Sequence, residues 1–449
     1  SWGDRNTTNT KEKYFIVKDS TSSSISLIDE EEHVVLTYEL KDKYQLEFNV
    51  SFDDANTYDN IKLNFNQKIN QLEKSIKNER YYSSIAYSKD NSSSDQLYDG
   101  KELNVDNVKW ASHSQQFFST IISSKQGFGD NSKFKVIEPD HNEYVKEFRT
   151  VLDINHNSIN QHDFTFYFVP NKYSLLADYE KGFESVIYLG HWIFSWVNEW
   201  FIIPMFDLLE GWGLSYGLII LVIAVVIKLI LFLPTRSSYL SMAKMRVLKP
   251  EIDALNEKFK DPMEKQQAQM SLYKKTGVNP LGGCLPMLFQ MPILIALFSF
   301  FPTAYELRQQ GFLWADDLST YDAVLEFSFL PGVFEHLSLF ALLMSISTLI
   351  QMIYSTQMSM SSNPQMPQMK YIMYIMPVVF FFVMNGYAAG LSYYYLLANL
   401  ITFAQQMIIR KSIDDNKLYA LLQANKKKPV KKSKFQQKLE EIAKKSQKR

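Results

Sequence analysis

The sequence predicts a two-part fold: an all-β sandwich followed by a membrane α-helical core of five transmembrane helices. Residues 1–180 are polar and contain short segments in which apolar and polar residues alternate. Residues 183–410 contain nearly all of the long apolar runs. Basic residues collect in alternate connections between those runs, as they do on the cytoplasmic side of membrane proteins. The mean hydropathy of −0.18 averages over the two halves and hides the membrane core.

The amino-terminal half, residues 1–180, is expected to form a large antiparallel sandwich. Four of its segments alternate with period two and are rich in Val, Ile, Phe and Tyr, which is typical of strands with one buried face. These segments are residues 13–18, 44–52, 61–66 and 164–169. The sequence of this half shows no nucleotide-binding loop, metal-ligand spacing or catalytic triad. We therefore interpret it as a binding or spacer domain.

The run from Leu214 to Leu233 holds twenty residues, about the length that crosses the ~30 Å hydrocarbon core of a bilayer. It carries one charge, Lys228, which lies six residues before Pro234 and so roughly 9 Å inside one face. An isolated cation at that depth costs about 2.5–3.5 kcal/mol even on insertion-based scales. Lys228 is therefore expected to face water, a partner or a substrate. The alternative is that its long stem snorkels to the interface.

Four further apolar runs are predicted to span the membrane, namely residues 281–301, 337–354, 371–384 and 391–409. The segment 236–276 holds nine basic residues, and the tail 411–449 holds thirteen against four acidic ones. The loop 303–336 holds one basic and six acidic residues. The positive-inside rule therefore places 236–276 and the tail in the cytoplasm and the sandwich in the periplasm. An upstream span before Ser1 is expected to anchor the sandwich.

Residues 183–203 are predicted to form an amphipathic helix that lies in the membrane interface. Trp192, Trp196 and Trp200 recur every four residues and share one helix face. Tryptophan favours the boundary between lipid and water, where its ring is buried and its N–H stays wet. A core helix of the preceding domain is the alternative.

The basic segment 236–276 is predicted to form an antiparallel helical hairpin that projects from the membrane. Its first helix carries apolar residues spaced 3, 4, 3 and 4, an a/d seam over two heptads, at Met245, Leu248, Ile252, Leu255 and Phe259. Asp261 and Pro262 break that helix, and the returning helix ends near Gly277. The basic outer face is expected to meet a ribosome or lipid headgroups, with a merely solvated face as the alternative.

Three stretches of this sequence resemble the YidC/Oxa/Alb family of membrane protein insertases. They are SMAKMRVLKPEI at 241–252, YKKTGVNPLGGCLPMLFQMPI at 273–293 and GLSYYYLLANLITFAQQ at 390–406. A sandwich followed by five spans is similar to the Gram-negative YidC form without its first span. The resemblance implies a bacterial inner-membrane protein whose five-span insertase core, residues 213–410, encloses a hydrophilic groove open to cytoplasm and lipid. It also implies that the protein inserts and helps fold nascent inner-membrane proteins without nucleotide hydrolysis.

The resemblance further implies which residues line the groove. Lys228 falls at the position of the family's characteristic positive charge, where arginine is usual. Gln290 matches a polar groove residue, and Tyr394 and Tyr395 match aromatic residues that contact substrate. Gln290 could instead be an interhelical hydrogen bond, and the tyrosines could belong to an interface belt. Cys284, the one cysteine, is interpreted as a small packing residue rather than a nucleophile.

No enzymatic activity, catalytic residue, cofactor or metal is expected, and the sequence contains no GxxxxGK[ST] phosphate loop. The resemblance implies four partners: nascent membrane proteins, membrane lipids, a ribosome bound through the basic tail, and the Sec translocon. The alternative function is a secondary transporter with a midplane site, although the five apolar runs contain no Asp or Glu for ion coupling. A structural scaffold for a secretion complex is a further alternative, and it predicts that Lys228 can be replaced by Leu without consequence.

Overall fold

The computed structural model of the chain divides into two compact units, the first consisting of Ser1–Asp207, Ile295–Asp322 and Gly386–Leu391, and the second of Leu208–Leu294, Ala323–Asn385 and Ser392–Arg449. The structure describes residues 9–31, 33–41, 44–53, 61–100, 102–154, 160–279, 282–283, 285–327, 335–359 and 367–427. Cys284 and the basic tail beyond residue 427 lie outside the described residues.

Two antiparallel sheets build most of the first unit. Their strands are β1 (Ile16–Ser20), β2 (Ser24–Asp29), β3 (Val34–Lys41), β4 (Gln45–Phe52), β5 (Ile61–Ile69), β6 (Ser84–Ser88), β7 (Asp95–Leu97), β8 (Leu103–Val105), β9 (Trp110–Ser114), β10 (Phe118–Ser124), β11 (Ser132–Ile137), β12 (Lys146–Ile154) and β13 (Gln161–Pro170). The larger sheet has the order β1-β2-β3-β4-β13-β10-β9-β6-β7, and the smaller has the order β5-β12-β11-β8. The predicted segments fall in β1, β4, β5 and β13, although β1 begins only at Ile16.

The two sheets bury one shared core. Alternate residues of β12 point inward, among them Phe148 and Leu152, and meet Ile122 and Phe164 from the larger sheet. Burial of each such side chain contributes roughly 1.5–3 kcal/mol. Period-two patterning therefore places the apolar faces together, and the predicted all-β sandwich is confirmed.

His113 joins the sheets inside this core. Its ring stacks on Phe65 of the smaller sheet, with ring centroids 3.8 Å apart. Its Nε2 atom lies 2.9 Å from the Thr150 hydroxyl, also in the smaller sheet. Burial lowers the pKa of His113 to about 3, so the imidazole is neutral. His113 therefore acts as a packed, hydrogen-bonded core residue.

Helices make up most of the remaining described chain. They are α1 (Ile76–Tyr82), α2 (Tyr173–Ala177), α3 (Ile193–Val197), α4 (Ile203–Glu210), α5 (Tyr216–Ile230), α6 (Phe232–Val247), α7 (Lys249–Lys258), α8 (Pro262–Thr276), α9 (Leu285–Thr303), α10 (Leu339–Ser359), α11 (Pro367–Met384), α12 (Ala389–Lys411) and α13 (Asp415–Lys426), with a small hairpin of β14 (Ala323–Glu326) and β15 (His336–Ser338). The helical region predicted after the sandwich is confirmed. In the described parts of the chain, no single helix meets the length and hydropathy expected of a membrane span, whereas α5 and α6 meet them as a pair bent by 58°.

The first predicted span differs from expectation at its end. The apolar run 214–233 was expected to form one helix up to Pro234, but α5 ends at Ile230 and α6 starts at Phe232. Leu231 departs from helical backbone, with φ −81° and ψ 1°, although its N–H still donates to the Ile227 carbonyl at 3.0 Å. Pro234 then lies in the first turn of α6, where its missing N–H is tolerated.

The helix predicted for residues 183–203 begins ten residues later. Residues 183–186 form a 3₁₀ turn, and helix appears only from Ile193, continuing through a π-helical turn into α4. Gly190 and Trp192 have φ of 91° and 48°, and a helix cannot pass through such left-handed backbone. A side chain at Gly190 would also lie 3.0 Å from the Ser299 hydroxyl.

The predicted loop 303–336 packs in part on the sandwich, within the first unit. The Arg308 guanidinium donates to the Glu73 carboxylate at 2.8 Å and lies 5.2 Å from the centre of the Phe118 ring. The Gln116 side-chain amide donates to the carbonyl of Pro302 at 2.8 Å. The second contact joins the end of α9 to the turn between β9 and β10, and the first joins the chain after α9 to the segment between β5 and α1 and to β10.

The predicted hairpin 236–276 consists of the end of α6 followed by α7 and α8, because the first helix expected through Met245 to Phe259 is interrupted at Leu248. The beginning of the basic tail packs on α7 and α8. In α13, Leu422 is buried in one cluster with Ile252 and Leu272. Glu251 accepts from Lys426 at 2.9 Å. Residues 411–449 were expected to form a basic tail as a whole, but its first part is a docked helix because α13 carries an apolar face.

Candidate functional site

Two of the four predicted groove residues lie together in the second unit. Lys228 stands in the last turn of α5 and is 5% exposed. Its ammonium donates to the Gln290 side-chain carbonyl at 3.2 Å, which links α5 to α9. Among the described residues, no carboxylate lies within ion-pair distance of this ammonium. The cation therefore has a neutral partner.

The break after α5 accounts for a second contact at Lys228. The last carbonyls of a helix lack intrahelical partners. The carbonyl of Lys228 accepts from the Gln405 side-chain amide at 3.0 Å. Gln405 lies on α12 and is buried. It satisfies a backbone group that lipid could not, since a bare carbonyl in hydrocarbon costs several kcal/mol, about 4–8 on transfer to cyclohexane.

Gln405 is a site residue that sequence reasoning missed. It belongs to a polar face of α12 centred on the buried Thr402, which lies three residues after Asn399, three before Gln405 and four before Gln406. Asn399 donates to the hydroxyls of Ser347 and Thr348 on α10, at 2.9 and 2.8 Å. Gln406 donates to the hydroxyls of Ser355 on α10 and Tyr239 on α6. The adjacent Gln405 and Gln406 within the apolar run 391–409 were the sequence feature from which this polar face could have been predicted.

Tyr394 and Tyr395 lie at another level of α12. They precede Gln405 by ten residues or more, which is at least about 15 Å along a helix axis. The side chains are 1% and 8% exposed. The ring of Tyr395 lies 5.8 Å from that of Phe380 on α11. The structure thus buries both rings between helices and separates them from the Lys228–Gln290 pair.

The site has the chemistry of a binding surface for charge. A buried ammonium held by a neutral amide can exchange the amide for a carboxylate. An ammonium already paired with a carboxylate would first have to break a buried ion pair, which is strongly destabilising. Within the described ranges, no group of three or more His, Cys, Asp or Glu residues is placed to hold a metal ion. The geometry therefore supports electrostatic recognition of an acidic group at Lys228.

Comparisons with known proteins match both halves of the chain to proteins of one kind. Residues 4–207 match the family described as YidC periplasmic domain, and residues 208–417 match the family described as 60Kd inner membrane protein. A membrane protein insertase YidC from Bacteroides fragilis is 37% identical, covering 97% of this chain and 75% of that protein. One from Parabacteroides distasonis is 39% identical, covering 96% and 73%.

A solved structure titled "Active YidC insertase crystal structure with the first transmembrane domain resolved" is 21% identical, with a TM-score of 0.39, over 90% of this chain and 81% of that one. The family models and the curated relatives together cover the sandwich and the helical region. On these matches, the chain belongs to the YidC family of membrane protein insertases, which are inner-membrane proteins with a periplasmic domain.

Proposed function

We propose that this chain inserts nascent membrane proteins by receiving the polar tail of an incoming segment at Lys228, in a groove open to cytoplasm and lipid and without nucleotide hydrolysis. The observation that supports this proposal is the Lys228–Gln290 contact of 3.2 Å. It keeps a buried cation in place and, among the residues that the structure describes, gives it a neutral acceptor in place of a carboxylate. A client carboxylate that replaced the amide would add a charge interaction.

That charge interaction is strong enough to favour a transient complex between the acidic tail of the client and Lys228. Two opposite charges about 4 Å apart attract by ~4 kcal/mol at an effective dielectric of ~20, against ~1 kcal/mol in bulk water. The acidic tail of a client is therefore held more strongly at Lys228 than in solution. Partition of the following apolar segment into lipid supplies the driving force for release. No step in this scheme requires a nucleotide.

The proposed orientation places the hairpin of α7 and α8 and the tail in the cytoplasm, and the sandwich in the periplasm. The tail beyond residue 427 carries nine basic and two acidic residues. Such a tail can bind ribosomal RNA by displacing its counterions. We assign the ribosome to this tail as a partner. The Sec translocon remains a proposed partner on the strength of the family alone.

The charge mechanism is tested by protease protection of a single-span client in reconstituted vesicles. The client carries an acidic translocated tail, or the same tail with its acids replaced by Asn. Lys228→Arg should retain insertion, Lys228→Ala should impair the acidic client, and Lys228→Glu should impair it further. Lys89→Ala, at an exposed loop position, is the matched control. If all variants insert the acidic client equally at matched abundance, the mechanism is wrong.

A further inference from the structure

A cavity of about 540 Å³ opens in the first unit and is not used by the mechanism above. Its volume is within the range of about 300–1,000 Å³ that is usual for sites of small organic ligands. Helix α1 lines one side, the start of β12 lines another, and the segment just before α3 lines a third. All lining residues belong to the same unit.

Four tyrosines give the cavity an aromatic lining. Tyr81 and Tyr82 are adjacent on α1, with ring centroids 4.9 Å apart and planes at 83°. Tyr188 contacts His191 edge to face at 5.5 Å, and Tyr98 lies on the lining as well. Tyrosine offers a negative ring face to an organic cation and a hydroxyl that accepts hydrogen bonds.

Three basic side chains share the lining. Lys146 is 3% exposed, and its ammonium donates to the carbonyls of Ser83 at 3.0 Å and Tyr98 at 2.9 Å. Arg80 donates through Nε and Nη2 to three carbonyls between residues 141 and 145, and Nη1 takes part in none of these bonds. Lys77 is exposed at the same cavity. These hydrogen bonds hold the Lys146 ammonium, whereas Lys77 and the Nη1 side of Arg80 can both donate to an anion.

Two acidic side chains, Asp99 and Glu138, complete the lining. Glu138 lies 3.8 Å from the Lys146 ammonium, and its side chain is 48% exposed. A ligand with a single charge would meet a like charge in this cavity whichever sign it had. A zwitterion would pair both of its charges, which makes the lining selective for such a ligand.

The neighbouring sequence indicates where that ligand comes from. His191 lines the cavity, and Trp192 follows it in the chain with 90% of its side chain exposed. Trp196 and Trp200 are 60% and 71% exposed. Exposed tryptophans mark the headgroup layer of a membrane. This step rests on the interfacial position of these tryptophans that the sequence predicts, and not on the Lys228 mechanism.

We propose that this cavity binds the phosphoethanolamine headgroup of a membrane lipid. Lys77 and Arg80 would hold the phosphate, and the tyrosines with Asp99 and Glu138 would hold the ammonium. A primary ammonium suits this lining better than a quaternary one, because hydroxyl and carboxylate oxygens can accept its N–H donors. The lipid would anchor the first unit to the bilayer surface.

The test uses the full chain in lipid nanodiscs. Phosphatidylethanolamine with a diazirine near the glycerol end of one acyl chain is photo-activated, and labelled peptides are identified by mass spectrometry. Peptides covering residues 76–82 and 186–191 should be labelled. A phosphatidylglycerol probe with the same diazirine should label them roughly tenfold less, the effect expected for one lost charge-assisted hydrogen bond.

Variants separate the cavity from general lipid contact. The double variant Lys77→Ala with Asp99→Asn removes one charge of each sign at exposed positions and should reduce labelling roughly tenfold. Lys18→Ala with Glu30→Gln makes the same charge changes at exposed positions outside the lining and should not. Circular dichroism checks the fold of both. The insertion assay, run on the same proteins, reports on Lys228 separately, so failure of one proposal is distinguishable from failure of the other.

Competition identifies the source of the headgroup. Free phosphoethanolamine at the same concentration should displace the probe only weakly, because lipid is concentrated at the membrane surface. Displacement by the free compound as strong as by lipid would mean a soluble ligand and overturn the lipid assignment. Displacement by an extended acidic peptide would mean a peptide site. Equal labelling by the phosphatidylglycerol probe would refute headgroup selectivity.

Discussion

The side-chain amide of Gln405 donates a 3.0 Å hydrogen bond to the main-chain carbonyl of Lys228, so α12 secures the point at which α5 ends. The residue that carries the charge is thus held twice, through its side chain by Gln290 and through its backbone by Gln405. This double attachment fixes where the ammonium stands.

Gln405→Leu should destabilise the second unit. The substitution leaves the Lys228 carbonyl without its donor, and a buried unsatisfied polar group costs about 1–3 kcal/mol. We expect a lower thermal midpoint in detergent and reduced insertion of both acidic and neutral clients. Gln266→Leu, at an exposed position on α8, makes the same side-chain change and should have little effect. An unchanged midpoint for Gln405→Leu would show that another group satisfies the carbonyl.

Gln290→Glu should block the site from within. The new carboxylate would stand where the amide oxygen now lies, 3.2 Å from the Lys228 ammonium, and would occupy the cation permanently. Insertion of the acidic client should fall about tenfold or more, since each 1.4 kcal/mol of lost stabilisation is tenfold in rate. Gln290→Leu removes the amide without adding a competing charge and should impair the acidic client less than Gln290→Glu does. Equal insertion by the Glu variant and the unaltered protein would contradict partner exchange at Lys228.

The sandwich contains two buried groups with opposite dependence on pH. Burial lowers the pKa of His113 to about 3, so its contribution to stability is lost as pH falls from 6.5 toward 3. Burial raises the pKa of Glu79 to about 7, so its contribution is lost as pH rises from 4.5 toward 7. Between pH 4.5 and 6.5 the two slopes oppose each other.

Single substitutions should therefore reveal slopes of opposite sign. Relative to the unaltered protein, His113→Gln should gain about 1.4 kcal/mol per unit as pH falls from 6.5 to 4.5, because only the Glu79 slope remains. Glu79→Gln should lose about the same amount per unit. Urea unfolding at three pH values, monitored through hydrogen exchange of the strand amides, measures the free energy of unfolding of both variants and of the unaltered protein. Parallel pH profiles for the three proteins would rule out these two groups as the cause.

Truncation should separate the docked helix from the basic tail. Removing residues 428–449 deletes nine basic residues but leaves α13 intact, so salt-sensitive cosedimentation with ribosomes should weaken in a folded protein. Removing residues 411–449 also deletes Leu422, Lys426 and Asp415, whose carboxylate accepts from Arg246 at 2.6 Å. That change uncovers the cluster on α7 and α8 and should lower the thermal midpoint. Cosedimentation unaffected by the shorter truncation would assign ribosome binding elsewhere.

The strands could be predicted because burial on one face imposes a period of two, as β4, β5 and β13 show. The bend at Leu231 was not predicted, because the residues on both sides are equally apolar and the side chain that meets the Lys228 carbonyl there, Gln405, lies 177 positions after Lys228. The start of helix at Ile193 was mispredicted because tryptophan spacing was given more weight than Gly190. Lys228 is predicted from its isolation in an apolar run and Gln290 from the resemblance, and only the structure shows their contact.

Strand β13 is the last strand of the sandwich in sequence and lies in the middle of the larger sheet, between β4 and β10. Until it is synthesised, β4 lacks a neighbour on that side and the sheet remains in two pieces. Over 100 residues separate β4 from β13, and the newly made chain must wait for them with an unpaired edge. Export and folding of this half are therefore coupled in time: the sheet can close only when the chain that follows, leading into the membrane helices, is about to be made.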